Sequence, residues 1–142
     1  MATELKDVLA GFYADVMGPG NPERIAEFIH PDCLNHAAPP GSPQGIDGVR
    51  QVVLWLGIAF SDQHYEPHQL IAEGDTVVMH CTWSATHTGE FMGIPSTGRQ
   101  FSSEQIHIVR FADGLGIEHW AVRDDLGMMR QLGVGPPAGA PS

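Results

Sequence analysis

Apolar residues recur at helical spacing over the first part of the chain and at alternate positions over the second. Leu5, Val8, Leu9, Phe12 and Val16 follow the i, i+3, i+4, i+7 rhythm of one helix face, and Gly18-Pro19-Gly20 ends that rhythm. Asn21 followed by Pro22 predicts a capped second helix with Ile25, Phe28 and Ile29 as its buried stripe. A short strand around Leu34 and a Pro/Gly loop come next, and Asp47 is placed to cap a third helix bearing Val49, Val52, Val53 and Leu56. After Ser61 the period drops to two. Strands are predicted over His64–Ala72, Thr76–Thr88 and Phe101–Phe111, with a last one running to Arg123. Gly74-Asp75 turns between the first two, and Gly89–Gly98 is a loop. A closing helix starts at Asp124 or Asp125 and carries Leu126, Met129 and Leu132. Three helices followed by hairpin-linked strands, with no βαβ alternation, predict an α+β fold. Its curved antiparallel sheet packs on the three N-terminal helices, and a short C-terminal helix closes it. Residues 1–133 read as one domain, and the Pro/Gly-rich stretch 134–142 as a flexible tail.

One strand departs from the apolar pattern. Phe101, Ser103, Gln105, His107, Val109 and Phe111 share a face, so an amide and an imidazole interrupt an apolar row. Buried polar groups are costly without partners, so this pair calls for a partner, a water or a ligand. The next strand's register decides what that partner is. A three-residue loop at Ala112-Asp113-Gly114 is the favoured reading; it pairs Phe111 with Leu115 and sets His119 opposite His107, Ala121 opposite Gln105 and Arg123 opposite Ser103. A two-residue turn at Asp113-Gly114 would instead bring Trp120 beside His107, because a one-residue slip exchanges the faces of a strand. In the favoured register Ile106, Ile108, Trp120 and Val122 form a second apolar face, which calls for helices or another subunit to cover it.

Bulk properties narrow the classes. With 142 residues, 42% hydrophobic and 17% charged, the chain has a globular composition. A formal charge of −10 and a pI near 5.0 disfavour nucleic acid and anionic membrane as partners. Cys33 and Cys81 form no disulfide framework and no metal-finger spacing, which suits a cytoplasmic protein. Eight histidines raise the question of a metal. No HExxH, paired-histidine helical spacing or cysteine cluster accompanies them, so no metal is expected. Neither GxGxxG nor a P-loop is present, and no cofactor is expected.

The segments HPDCLNH, ATHTGEFMGIPSTG, EQIHIVRFADG and EHWAVRDDLGMMRQLG resemble SnoaL-type polyketide cyclases, members of the nuclear-transport-factor-2-like superfamily. The resemblance covers roughly residues 5 to 133. It implies a cone-shaped half-barrel of curved antiparallel sheet plugged by helices, and ring closure by cofactor-free intramolecular aldol condensation. In that family an Asp is the acid/base, while a His and a Gln orient and polarise the substrate. The resemblance matches Gln105 and His107 to the QxH positions and Asn35 to the asparagine of HPDxLN. The family's Asp stands two residues after the histidine of a D/E-H-x-D pattern; here Glu118-His119-Trp120 is followed by Ala121.

The candidate catalytic residues are therefore His107, Gln105, His119 and Asp124, the last competing with a role as helix cap. In this scheme His107 is the acid/base, Gln105 donates to a developing enolate oxygen, and His119 tunes or relays the proton. Asn35, His36, His80, Trp83, Trp120 and Arg123 are candidates for substrate binding. His80 lies on a polar stripe with Thr82, Ser84 and Thr86 that is either solvent face or cavity wall. The expected activity is cyclase-type acid–base chemistry on a hydrophobic carbonyl-bearing metabolite. The alternatives are a non-catalytic carrier of an apolar ligand and an epoxide hydrolase, which needs a carboxylate to activate water. A homodimer or homotetramer is expected.

Overall fold

The structure, a computed structural model, describes residues 2–134. Helix α1 (Ala2–Phe12) runs into a wide π turn (Tyr13–Met17), and a 3-10 helix (Pro22–Glu27) follows. Strand β1 (Ile29–Asn35), helix α2 (Gly45–Ala59), strands β2 (Phe60–Glu73), β3 (Thr76–His87), β4 (Gln100–Ala112) and β5 (Leu115–Arg123), and helix α3 (Asp125–Gln131) complete the order. The sheet reads β1-β5-β4-β3-β2. Four of its strands are joined antiparallel, whereas β1 lies parallel to β5 at one edge. The predicted α+β architecture is present, with this parallel edge as its one addition.

Local chemistry explains most boundaries. Asn21 caps the 3-10 helix by accepting from the Glu23 N–H at 3.2 Å, with Pro22 at the first position. Ile29, expected on that helix, instead opens β1, because the helix is only two turns long and closes on Phe28. Asp47 does not cap α2: the helix begins at Gly45 behind Gln44, and Asp47 sits in its first turn paired with Arg50 at 2.8 Å. Strand β2 is longer than predicted, starting at Phe60. Two irregularities bend it, one after Ser61 and one after Pro67, and a proline is tolerated because β2 is an edge strand.

Burial alternates residue by residue along β3 and β4. Val77, Met79, Cys81, Trp83 and Ala85 from β3 and Phe101, Val109 and Phe111 from β4 turn to the concave side. There they meet Leu9, Phe12, Val16, Ile25 and Val53 from the helices, and Met128 and Leu132 from the C-terminal end. The opposite face is open. Ile106 is 43% exposed, Trp120 37% and Val122 75%, so the described residues leave the second apolar face predicted from the sequence open. The tail is described only to Val134; residues 135–142 lie outside the described residues.

The β4–β5 hairpin differs from the favoured reading in an instructive way. Ala112 pairs with Leu115 and Phe111 with Gly116, so the turn has two residues, Asp113 and Gly114, both with positive φ (54° and 78°). That turn alone would have placed Trp120 opposite His107. One residue later Arg110 pairs with Glu118, leaving Ile117 as a bulge. The extra residue restores the parity, so His119, Ala121 and Arg123 stay on the face of Gln105 and His107. The pairs themselves move by two: Ala121, not His119, lies opposite His107, and Arg123 lies opposite Gln105.

Gly48 of α2 offers a test of the loop that precedes it. In a helix interior alanine is favoured over glycine by about 1 kcal/mol. Here a Cβ would run into the Pro43 carbonyl, which folds over the start of the helix. Gly48→Ala is expected to lower stability by about 1–3 kcal/mol in urea titrations; an unchanged or raised midpoint would contradict this packing.

Candidate active site

The cone is hollow. A cavity of about 510 Å³ opens between the concave sheet and the helices. Its helical walls come from Leu9, Phe12 and Tyr13 on the first helical segment, Val52, Trp55 and Leu56 on α2, and Met128 and Met129 on α3. Tyr65, Trp83, Val109 and Phe91 add aromatic and aliphatic surface. Such a space, largely apolar with a few convergent polar groups, is the usual form of a small-molecule site.

The polar groups form one chain. Gln105 Oε1 lies 2.7 Å from His107 Nε2, and His107 Nδ1 lies 2.9 Å from His119 Nε2. His119 Nδ1 then donates to Asn35 Oδ1 at 2.7 Å. Tyr13 Oη also reaches His107 Nδ1, at 2.9 Å. Four elements meet here. Alternation on β4 aims Gln105 and His107 inward, the bulge at Ile117 turns His119 inward, and the parallel β1–β5 contact sets Asn35 beside His119. The Ala37 N–H donates to Asn35 Oδ1 at 3.0 Å, which fixes the orientation of that amide.

Burial governs the charge state. His107 is held well below the usual histidine range, first by desolvation, then by His119 and Arg123. His119 is pushed down to about 4, again first by burial, then by Arg123 and His36. Both rings are therefore neutral near pH 7, able to accept or pass a proton. Desolvation likewise raises the Tyr13 hydroxyl well above the usual phenol range and keeps it protonated.

The remaining candidates divide. Trp83 lines the cavity, its Nε1–H donating to Gln63 Oε1 at 3.2 Å, and Arg123 lines it beside Asp125 at 3.9 Å. Asp124 does not line it. Its carboxylate accepts from the Gly127 N–H at 2.9 Å and caps α3, so the capping role takes the side chain away from catalysis. His36 and Trp120 stack on each other at 4.9 Å on the outer side of the sheet, with His36 Nε2 2.8 Å from Glu118. Parity puts Trp120 there, opposite in sense to His119. His80 also belongs to the outer face, next to Glu104 and His68, which makes its polar stripe the solvent side. Two acids, Glu118 and Asp125, contribute to the cavity wall, but the Glu118 carboxylate is engaged by His36 and Arg110. Among the described residues no cluster of His, Cys, Asp and Glu is arranged to hold a metal, and no helix is long and apolar enough to cross a membrane.

Sequence reasoning missed Tyr13, whereas Tyr65, Trp55 and Phe91, aromatic residues that could line a pocket, do line the cavity. Tyr13 stands at i+4 from Leu9, and the π turn places it toward the sheet beside the Phe12 stripe. A phenol one position off an apolar helix stripe was the available signal.

Comparisons with known proteins place the fold in a family. The model of the SnoaL-like polyketide cyclase family matches residues 7–132. The chain belongs to this family. It is 38% identical over 117 residues to the aklanonic acid methyl ester cyclase DnrD of Streptomyces peucetius, covering 80% of this chain and 81% of that one. To the nogalonic acid methyl ester cyclase of Streptomyces nogalater it is 34% identical over 116 residues, covering 80% and 87%. Among solved structures, TsrD from Streptomyces laurentii superposes with a TM-score of 0.87 at 30% identity, covering 94% of this chain and 98% of that one. Curated relatives of this SnoaL-like chain are thus polyketide cyclases.

The two neutral histidines make stability depend on pH. A histidine that titrates near 6.5 when unfolded and near 4 when folded binds more protons in the unfolded state between those values. Its contribution is therefore complete above about pH 6.5 and is lost as pH falls toward 4, by up to about 1.4 kcal/mol per pH unit. Urea titrations at pH 7 and pH 5 should show this loss, and His119→Gln should flatten it; an equal slope in both proteins would refute the assignment.

Proposed function

We propose that the protein is a cofactor-independent enzyme that abstracts a proton next to a carbonyl of a hydrophobic metabolite and closes a ring by aldol-type chemistry. The observation that carries this reading is the Gln105–His107–His119–Asn35 chain, buried at its first two members and half-buried at the others, in an apolar cavity. His107 Nε2 is the basic atom. The Gln105 amide occupies it at rest and is drawn off when a substrate carbonyl competes for the amide N–H, so that Gln105 both frees the base and polarises the carbonyl. His119, anchored by Asn35, holds the His107 ring in place and tunes its basicity. Arg123 balances enolate charge from the cavity wall. Family membership, and relatives whose names specify methyl ester cyclases, support a polyketide-type substrate.

Ala121, directly across the ladder from His107, gives a carrier reading its one specific support, since no carboxylate stands there. Incubation with aklanonic acid methyl ester separates the two. Cyclised product is expected, with His107→Ala and Gln105→Ala each slowing turnover about 100-fold or more. Ester bound and recovered unchanged would establish carriage and end the enzyme reading.

We further infer that two or four copies assemble through the outer sheet face, where Ile106, Trp120 and Val122 lie open. Two buried free thiols, Cys33 and Cys81, suit a reducing cytoplasm. In sedimentation the wild type is expected as a dimer or tetramer, and Ile106→Glu with Val122→Glu as a 15.3 kDa monomer. A wild-type monomer would refute the assembly.

A further inference from the structure

The hydrogen-bond chain contains a conflict of protons that points to a residue no sequence motif marks. Asn35 Oδ1 accepts from the Ala37 N–H, so the atom facing His119 Nδ1 is an oxygen and that nitrogen carries a proton. A neutral His119 then has a bare Nε2. The 2.9 Å contact to His107 requires His107 Nδ1 to carry the bridging proton. A neutral His107 therefore has a bare Nε2, 2.7 Å from the Gln105 amide. An oxygen there would face a lone pair. Satisfying all three contacts with Oε1 in place takes three ring protons, while two neutral imidazoles hold two. The O and NH2 ends of an amide are nearly isosteric and are assigned from such networks. With both rings buried beside Arg123, the neutral solution holds in the resting enzyme: the amide NH2 of Gln105 faces His107 Nε2.

This assignment determines what Tyr13 does. Its Oη lies 2.9 Å from a nitrogen that already donates to His119, so the phenol oxygen is a second acceptor of that one proton and its own hydrogen is left over. Tyr13 lines the cavity. We propose that Tyr13 is the acid of the reaction: its hydroxyl delivers a proton to the substrate oxygen and recovers one from His107 Nδ1. The inference rests on the reading of His107 as the base.

The step balances. The substrate C–H proton passes to His107 Nε2 and leaves an enolate, whose carbon bonds to the second carbonyl carbon as that C=O becomes an alkoxide. Tyr13 gives its proton to the alkoxide, and the His107 Nδ1 proton moves to Tyr13. One proton leaves carbon and one arrives on oxygen, with no net charge left in a cavity that tolerates little. His107 ends protonated on Nε2, where Gln105 Oε1 can accept. The two orientations of the amide thus correspond to the two tautomers of the ring, before and after transfer. A phenol suits this role because it stays neutral when buried yet yields its proton to an alkoxide, a far stronger base. It occupies the function that a carboxylate at residue 121 cannot supply here, since Ala121 has no acid.

Two measurements decide the proposal. The first needs no substrate: nitrogen NMR of labelled histidine should find His107 protonated on Nδ1 at neutral pH. Protonation on Nε2 alone would make Nδ1 the acceptor of the phenol and overturn the relay. The second uses the same methyl ester with Tyr13→Phe, which keeps the ring that packs on Tyr65 at 4.9 Å. Its kcat should fall about 100-fold or more with KM nearly unchanged, while exchange of the substrate α-proton in D2O continues. His107→Ala should lose both exchange and cyclisation. Fluorinated tyrosines at position 13 should alter kcat in order of phenol acidity, which a packing role would not produce. Full cyclisation by Tyr13→Phe would overturn Tyr13 alone; exchange surviving in His107→Ala would overturn the base.

Discussion

The site depends on the parity of strand β5. Side chains alternate across a sheet, so a single residue more or less between two strands exchanges everything they present. The two-residue turn at Asp113-Gly114 sets the hairpin in the parity that would bury Trp120 and turn His119 to solvent. The bulge at Ile117 cancels that slip. Without it His107 would have no imidazole beside it, Asn35 would have no ring to hold, and Arg123 would leave the cavity. A local irregularity of one residue therefore aligns four polar groups drawn from two strands and a sheet edge.

That alignment is costly to hold, which explains why it is so fully partnered. Placing Gln105 and His107 among Trp83, Tyr65 and Val109 removes them from water, and each buried polar atom left alone would cost on the order of 1–3 kcal/mol. The chain ends on Asn35, itself tied by the Ala37 N–H, and Gln44 in turn accepts from the Asn35 N–H at 2.6 Å. The parallel edge strand thus acts as a buttress outside the antiparallel core. His87 shows the contrast. It is equally buried, with Nδ1 met by Thr97, but its Nε2 has no partner among the described residues, and it lies among Phe60 and the loop rather than at the cavity.

Much of this was legible in the residue pattern. The change of period after Ser61 separated helices from sheet, and alternation on β4 identified Gln105 and His107 as inward-facing before any partner was known. The face of His119 was read correctly from a turn that does not form, because a three-residue loop and a two-residue turn plus a bulge have the same parity. Register could not be read, since nothing in Gly116-Ile117-Glu118 announces a bulge. Nor could the parallel pairing of β1, which brings together residues more than 80 positions apart. Placing His36 and Trp120 at the site failed for a related reason. Aromatic residues near a functional motif can stack on the outside of the same sheet, and one position along a strand decides which.

Ala121 then acquires a physical meaning. A carboxylate across from His107 would favour the imidazolium and raise its pKa, whereas desolvation, then His119 and Arg123, now push in the opposite direction. A site with an aspartate there can hold a charged acid–base pair; this one is built to stay neutral. A neutral site can still move a proton from carbon to oxygen if donor and acceptor are linked so that no step leaves an uncompensated charge. In the proposed relay, two imidazoles in contact, one phenol and an amide able to present either end meet that requirement, and the apolar walls that make charge expensive favour a transfer in which each charge is compensated as it forms.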